Sequence, residues 1–123
     1  MLKVHTRNSG NVAVLCLQGR IVNGETASLR EAVNSQTRVT TVVLDLGRVS
    51  TIDASGLGLM LELRRLSLAK GIRFKLVNVT NLVSRVLEVT RLDSVFEVSP
   101  TIELLPAASH ARPSRLMPFA RCA

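Results

Sequence analysis

The sequence has no tryptophan, no tyrosine and only three phenylalanines among its 123 residues. Apolar residues still make up 46% of the chain, so a hydrophobic core has to be built mainly from leucine, valine and isoleucine. The chain also lacks the aromatic platforms on which proteins stack the bases of single-stranded nucleic acids. The formal net charge is +7, but the basic residues are scattered among acidic ones. We therefore expect a solvated basic surface and no direct nucleic-acid binding.

Long apolar segments are missing as well, and cysteines are few. No apolar run approaches the roughly 20 residues that a membrane span needs, and residues 1–10 lack the pattern of a secretory signal peptide. These features predict a cytoplasmic protein. Cys16 lies in an apolar run and is interpreted as a small core residue, and a disulfide with Cys122 is not expected in the cytoplasm. Neither histidine has the spacing of a metal ligand, so we expect no metal site.

Proline is absent from residues 1–99, and all four prolines follow Ser99. This change in composition predicts one folded domain over residues 1–99 and a flexible basic tail over residues 100–123. Within the domain, apolar runs and helical periodicities alternate in the order β-β-α-β-α-β-α-β. The pattern predicts an α/β fold with a mixed, mainly parallel sheet of about five strands, helices packed on the sheet, and one antiparallel pair at the start.

Local signals place the ends and apolar faces of the predicted helices. Thr26 precedes the first helix as a candidate N-cap, and Gly71 closes the second. The third helix, in "NLVSRVLEVT", is expected to turn one apolar face toward the core. That face comprises Leu82, Val83, Val86 and Leu87.

Residues 51–58, "TIDASGLG", place two glycines at the start of the second helix, where each costs about 0.5–1 kcal/mol relative to alanine. A dinucleotide fingerprint would need glycine at Leu61, and the nucleophile elbow of hydrolases would need glycine at Asp53. No histidine lies near Ser55 in the sequence to serve as its base, so we expect neither an enzyme nor a cofactor. Two interpretations remain open: the glycines allow close helix–sheet packing beside a simple cap, or they let a partner approach a serine that becomes phosphorylated.

The segments "VVLDLGRVSTIDASGLGLMLELRRL" and "GIRFKLVNVTNLVSRVLEVTRLDSVFEV" resemble the STAS domain, the module of sulfate transporters and anti-sigma factor antagonists. The resemblance covers roughly residues 3–99 and is closest to the free-standing bacterial antagonists. Its most specific element is the strand ending in "DL", followed by "V" and then "IDxSGLG". The later patterns "GxxFxLxN" and "VxxVLxxTxLDxVF" add to it.

This resemblance implies a role in transcription regulation by partner switching. The unmodified protein would bind an anti-sigma factor that is also a serine kinase of the histidine-kinase-like ATPase fold, and a sigma factor would be released. The kinase would then phosphorylate the antagonist at the start of the second helix, and a phosphatase would reset it. A dianion at a close-packed interface weakens binding by repulsion and desolvation.

The resemblance also implies which residues bind the partner: Arg20, Asn23, Asp53, Ala54, Ser55, Gly56, Leu57 and Gly58. In the family the phosphorylated hydroxyl usually follows the aspartate directly, where this chain has Ala54. Either Ser55 takes the phosphate or the protein is not regulated by phosphorylation. The loop "GRIVNGET" also departs from the family pattern of a glycine followed by acidic residues. A second hypothesis is therefore a non-phosphorylated STAS subunit of a larger assembly, such as a lipid-transport ATPase complex or a stressosome-like scaffold.

Overall fold

The structure is a computed structural model that describes residues 2–99. A five-stranded sheet runs in the spatial order β1-β2-β3-β4-β5; β1 and β2 are antiparallel and every later pair is parallel. The elements are β1 (Lys3–Ser9), β2 (Val12–Ile21), α1 (Ala27–Asn34), β3 (Thr41–Ile52), α2 (Ala54–Ala69), β4 (Arg73–Val77), α3 (Asn81–Val89) and β5 (Glu97–Ser99). The predicted fold class and element order are confirmed.

The main core lies between the helices and one face of the sheet. Strand residues such as Leu15 and Leu44 meet helix residues such as Met60 and Leu63, and all four are fully buried. The opposite face carries a second buried cluster: Val14, Cys16, Val43 and Val77. This cluster contains strand residues alone within the described part of the chain. Both faces of β2 and β3 are therefore buried, as their nearly continuous apolar runs predict.

The helix ends follow their sequence signals with one exception. Gly71 adopts a φ of +77° just after α2, and its amide donates to the carbonyl of Leu68 at 3.0 Å. This left-handed residue closes α2 as predicted. The Thr80 hydroxyl caps α3 by accepting from the Val83 amide at 3.2 Å. Thr26 occupies the N-cap position of α1, but its side chain makes no capping hydrogen bond.

Two expectations from the sequence are wrong. On α3, Val83 and Leu87 are buried, but Leu82 is 51% exposed. Val83 and Leu87, four residues apart, define the buried side of α3, and Leu82 is turned about 100° around the helix from Val83. Cys16 is buried as expected but is disulfide-bonded. The absence of a disulfide was expected from the predicted cytoplasmic location, and a cellular location does not determine which cysteine side chains are in contact. The predicted tail, residues 100–123, lies outside the described residues.

Candidate functional site

The carboxylate of Asp53 joins three segments at the carboxyl end of the parallel strands. Strand β3 continues to Ile52, so Asp53 is the first residue after it and the N-cap of α2. Its Oδ1 accepts from the Gly56 amide at 2.8 Å, and its Oδ2 accepts from the Asn23 amide at 3.1 Å. The Asp53 amide donates to the Ile21 carbonyl at 3.3 Å. One side chain thus holds the loop after β2 against the start of α2.

Both hydrogen bonds to the carboxylate favour its charged form. The Gly56 amide contributes most and the Asn23 amide next, and together they hold the pKa of Asp53 below its usual value. Asp53 is therefore ionised at neutral pH. A negative charge at this position also interacts favourably with the positive end of the α2 dipole.

Gly56 is required by the packing of α2 against β2. A Cβ at this position would overlap the backbone carbonyl oxygen of Ile21 and lie 2.9 Å from its carbonyl carbon. Because the obstacle is backbone, no side-chain rotation could relieve the overlap. Gly56 is buried beside Ile21, which is fully buried. The packing interpretation of the glycines is therefore correct for Gly56.

Gly58, two residues further along α2, has no such constraint. A Cβ there would meet no atom within 4 Å, and the residue is exposed. Its φ is not positive, so alanine would fit the same backbone. Packing within the described residues gives no reason for a glycine that weakens the helix by about 0.5–1 kcal/mol. The two glycines thus serve different purposes.

Ala54 and Ser55 form the exposed first turn of α2. Within residues 2–99 the Ser55 hydroxyl makes no side-chain hydrogen bond, so it faces solvent at the positive end of the helix. Leu57 points the other way and is buried in the main core. Of the eight candidate binding residues, Gly56 and Leu57 are therefore buried and position the start of α2, whereas the exposed ones are accessible to a partner.

Arg20 and Asn23 lie on the adjacent segment. Arg20 belongs to the end of β2, opposite Thr51, and its guanidinium pairs with Glu25 at 2.9 Å. Asn23 is exposed in the loop that follows and contributes its backbone amide to Asp53. Sequence reasoning missed Glu25, an acidic residue in this same loop. Its position five residues after Arg20 was the available signal.

A second carboxylate, Asp45, is buried on the sheet face opposite the described helices α1, α2 and α3. It is 3% exposed; its Oδ1 accepts from the Gly47 amide at 2.9 Å and its Oδ2 from the Asn78 amide group at 3.0 Å. Burial raises the pKa of Asp45, and the bonds from Gly47 and Asn78 oppose that rise. Asn78 follows β4 with a φ of +54°. The pair fastens β4 to β3, a structural link that sequence spacing did not reveal.

Among residues 2–99 there is no group of three or more histidine, cysteine or acidic side chains that could hold a metal ion. Within the same residues, no helix is both long and apolar enough to cross a membrane. The site therefore combines three features at the N-terminal end of α2, which is held against the sheet. They are the ionised N-cap Asp53, the exposed hydroxyl of Ser55 and the exposed Gly58.

Three solved structures show the same architecture. An anti-sigma factor antagonist from Mycobacterium paratuberculosis is 22% identical, with a TM-score of 0.72 over 89% of this chain and 95% of that one. The unphosphorylated anti-sigma factor antagonist SpoIIAA is 21% identical, with a TM-score of 0.71 over 89% and 99%. The phosphorylated form of the Bacillus cell fate determinant SpoIIAA is 24% identical, with a TM-score of 0.64 over 89% and 100%.

At these identities the likeness establishes the fold. The family assignment comes from a separate comparison, in which the STAS domain model matches residues 3–105. That match includes every strand and helix described above, together with Asp53 and the turn that it caps. The chain therefore belongs to the STAS domain family.

Proposed function

We propose that this protein is a cytoplasmic anti-sigma factor antagonist that acts by partner switching. It binds an anti-sigma factor that is also a serine kinase of the histidine-kinase-like ATPase fold, and a sigma factor is thereby released. The docking surface comprises the exposed residues Arg20, Asn23, Ala54, Ser55 and Gly58, arranged around Asp53. The likeness to anti-sigma factor antagonists supports the partner class.

The exposed Gly58 is the observation that carries this proposal. A glycine in a helix interior is unfavourable, and at Gly58 nothing within the described residues requires one. A position without a side chain leaves the helix backbone open to close approach by another protein. Docking of a partner against the start of α2 would therefore explain the glycine at position 58, which packing within the described residues does not.

The surface around Gly58 is also held rigid. Asp53 ties the start of α2 to the Asn23 loop, and Gly56 seats the helix directly on β2. A fixed surface loses little conformational entropy when it binds, so more of the contact energy appears as affinity. These features favour a binding role for the protein, with no catalytic group among the proposed docking residues.

Ser55 is the proposed phosphorylation site. Its hydroxyl is exposed, and a phosphate at the second position of a helix is compatible with the helix dipole. At a protein interface the same phosphate would have to lose water, and it would also lie near the negative charge of Asp53. Phosphorylation of Ser55 would thus leave the fold intact and weaken partner binding, and removal of the phosphate would restore it.

Intact mass tests this modification. The full chain is incubated with ATP and extract of the host cell, beside Ser55→Ala and Ser28→Ala variants. Ser28 is the matched control because it is likewise the exposed second residue of a helix, α1. A gain of one phosphate on the wild type and on Ser28→Ala, absent from Ser55→Ala, is expected. A phosphate that persists in Ser55→Ala would contradict the assignment.

Partner capture tests the binding function separately. The full chain serves as bait, and bound proteins are identified by mass spectrometry against a Gly58→Arg bait. Recovery of a kinase of the histidine-kinase-like ATPase fold on the wild type alone is the expected result. No phosphate on Ser55 together with such a kinase would indicate a constitutive antagonist. Recovery of transport-ATPase or scaffold subunits in its place would contradict the antagonist role.

The second candidate function is a non-phosphorylated STAS subunit of a larger assembly. Ala54 favours it, because the position that follows the aspartate has no hydroxyl to accept a phosphate. Under this alternative Ser55 stays unmodified and the Gly58 surface contacts a permanent neighbour. Co-purification with membrane-complex or scaffold subunits, insensitive to ATP, would support it over the antagonist.

A further inference from the structure

Three basic side chains lie close together near the carboxyl end of β2 and β3. In the register of the sheet, Lys3 on β1 lies opposite Gln18 on β2, and Gln18 lies opposite Arg48 on β3. Neighbouring strands are about 4.8 Å apart, so the backbones of Lys3 and Arg48 are about 10 Å apart. Arg20 follows two residues after Gln18 on β2, about 7 Å away. We call Lys3, Arg20 and Arg48 the basic patch.

The basic patch faces away from α1, α2 and α3 and is accessible. Successive side chains of a strand point to opposite faces of the sheet. Each residue of the patch, and Gln18 between them, has a neighbour in the strand that packs in the main core under the helices, so its own side chain points to the other face. All four side chains are exposed. The core neighbours are Val4, Leu17, Ile21 and Val49.

Two members of the patch, Lys3 and Arg48, form no ion pair within the described residues 2–99. Basic residues elsewhere on the same face are neutralised, because the Glu97 carboxylate lies 2.7 Å from the Arg73 guanidinium and 3.3 Å from the Lys75 amine. Like charges on neighbouring strands repel each other and destabilise a sheet. The basic patch therefore keeps an unfavourable cluster of charge that the rest of this face avoids.

Two ordinary explanations account for only part of the patch. A lysine on an edge strand discourages pairing with another sheet, and Lys3 belongs to β1 at the edge. Arg48, however, belongs to β3 at the centre of the sheet, where no edge needs protection. The buried Asp45 attracts Arg48, but the two side chains do not form an ion pair. Neither explanation gives a reason for the positive charge at Arg48.

We propose that the basic patch binds an acidic surface of the same protein that docks at the start of α2. This inference rests on the proposed docking function and adds the charge that the partner carries. Arg20 belongs to both surfaces, and Arg48 precedes Asp53 by five residues, about 16 Å of strand. A standard interface covers about 800 Å² on each partner, a surface about 30 Å across. One partner can therefore contact Gly58 and the basic patch together.

Aspartate and glutamate side chains at the partner's surface fit this patch. Arginine binds a carboxylate through two parallel N–H donors, and lysine binds one through its ammonium group. One terminal nitrogen of Arg20 donates to Glu25 at 2.9 Å, which leaves the donors of its other nitrogens for the partner. A carboxylate near Lys3 and Arg48 would also remove the repulsion between these two cations.

The patch should act mainly on the rate of association. Exposed charges at the rim of an interface attract a partner from a distance and change the association rate more than the dissociation rate. Salt screens such charges over about 8 Å at 0.15 M ionic strength and over about 3 Å at 1 M. The contribution of the patch should therefore disappear in high salt, whereas the contact at Gly58 depends on shape and should remain.

Surface plasmon resonance measures this contribution. The probe is the protein that the wild-type bait captures and the Gly58→Arg bait does not, and the full chain is passed over it in about 0.05 M and about 0.5 M NaCl. Lys3→Glu and Arg48→Gln should each lower the association rate about threefold or more in low salt, and should match the wild type in high salt. Lys70→Glu and Arg65→Gln are the matched controls, because they change the same residue types at exposed positions of α2 and its C-cap. Both should associate at the wild-type rate.

A water-soluble carbodiimide tests the contact directly, because it joins a lysine amine to a carboxylate as an amide, with loss of water and no spacer. In the complex, Lys3 should be linked to an aspartate or glutamate of the probe protein. Lys70, exposed at the C-terminal end of α2, is the control within the same chain and should remain unlinked. Peptide mapping by mass spectrometry identifies the linked residues.

The outcomes separate this inference from the docking function. Wild-type association of both Lys3→Glu and Arg48→Gln with a probe that still needs Gly58 would overturn the basic patch and leave docking at α2 intact. Capture of no protein that depends on Gly58 would contradict the docking function and this inference together. The full chain alone is also offered a DNA duplex and phosphatidylserine vesicles in low salt. Tighter binding to either than to the probe protein, lost in Arg48→Gln, would overturn the assignment to a protein partner.

Discussion

Replacing each of the two α2 glycines by alanine should move stability in opposite directions. At Gly58 an added Cβ meets nothing within 4 Å, so alanine only improves helix propensity. The gain is about 0.5–1 kcal/mol, which raises the melting temperature of a domain of this size by roughly 2–8 °C. At Gly56 the added Cβ overlaps the Ile21 carbonyl. Overpacking against backbone costs about 3 kcal/mol, which leaves a net loss of roughly 2 kcal/mol after the propensity gain.

Urea unfolding followed by circular dichroism measures both changes, and the m-value reports whether each variant still unfolds as the same compact unit. The variants share the same substitution, helix and surroundings, so each is the control for the other. Destabilisation by Gly58→Ala would show that Gly58 has a packing role, and it would remove the main support for a docking surface. A neutral Gly56→Ala would show that α2 does not sit as closely on β2 as described.

Three further predictions concern single side chains. Asp53→Asn should lower the urea unfolding midpoint at pH 7. The extra stability of the wild type should be lost as the pH falls from about 4 through the lowered pKa of Asp53, because the carboxylate becomes protonated. In acid the two proteins should therefore have equal midpoints. The pH dependence due to Asp45 has the opposite sign. Because the pKa of Asp45 is raised in the folded protein, the stability of the wild type should decline as the pH rises above about 4. Urea titrations should show that Asp45→Asn lacks this decline. Leu87→Ala should cost about 2–5 kcal/mol in the same assay, whereas Leu82→Ala, on an exposed position of the same helix, should stay within about 0.5 kcal/mol; equal losses would contradict the described orientation of α3.

The element order was predictable because each element carries its own signal. The continuous apolar runs of β2 and β3 indicate strands buried on both faces, and Gly71 marks the end of α2 by a local backbone requirement. Leu82 was misplaced because four apolar residues at helical spacing mark a wide stripe, and the pattern alone does not say which edge of that stripe meets the sheet. The packing of α3 buries Val83 and Leu87 and leaves Leu82 exposed.

The site was predictable only in part. Asp53 could be recognised as a cap from its position before an apolar helix. The difference between Gly56 and Gly58 depends on how closely α2 approaches Ile21, a residue more than thirty positions earlier in the chain. The contact between Asp45 and Asn78 likewise depends on the register of β3 and β4. Neither the approach of α2 to Ile21 nor the contact between Asp45 and Asn78 can be predicted from local sequence patterns.

Direct binding to the kinase is the measurement that tests the central claim. The purified full chain is titrated into the captured histidine-kinase-like ATPase by calorimetry, beside Gly58→Arg and Ala69→Arg. Ala69→Arg is the control because it adds the same positive charge at an exposed position near the C-terminal end of α2. Docking at the start of α2 predicts that Gly58→Arg weakens binding by about tenfold or more, about 1.4 kcal/mol, and that Ala69→Arg does not. Equal affinity of the wild type and Gly58→Arg would contradict the account.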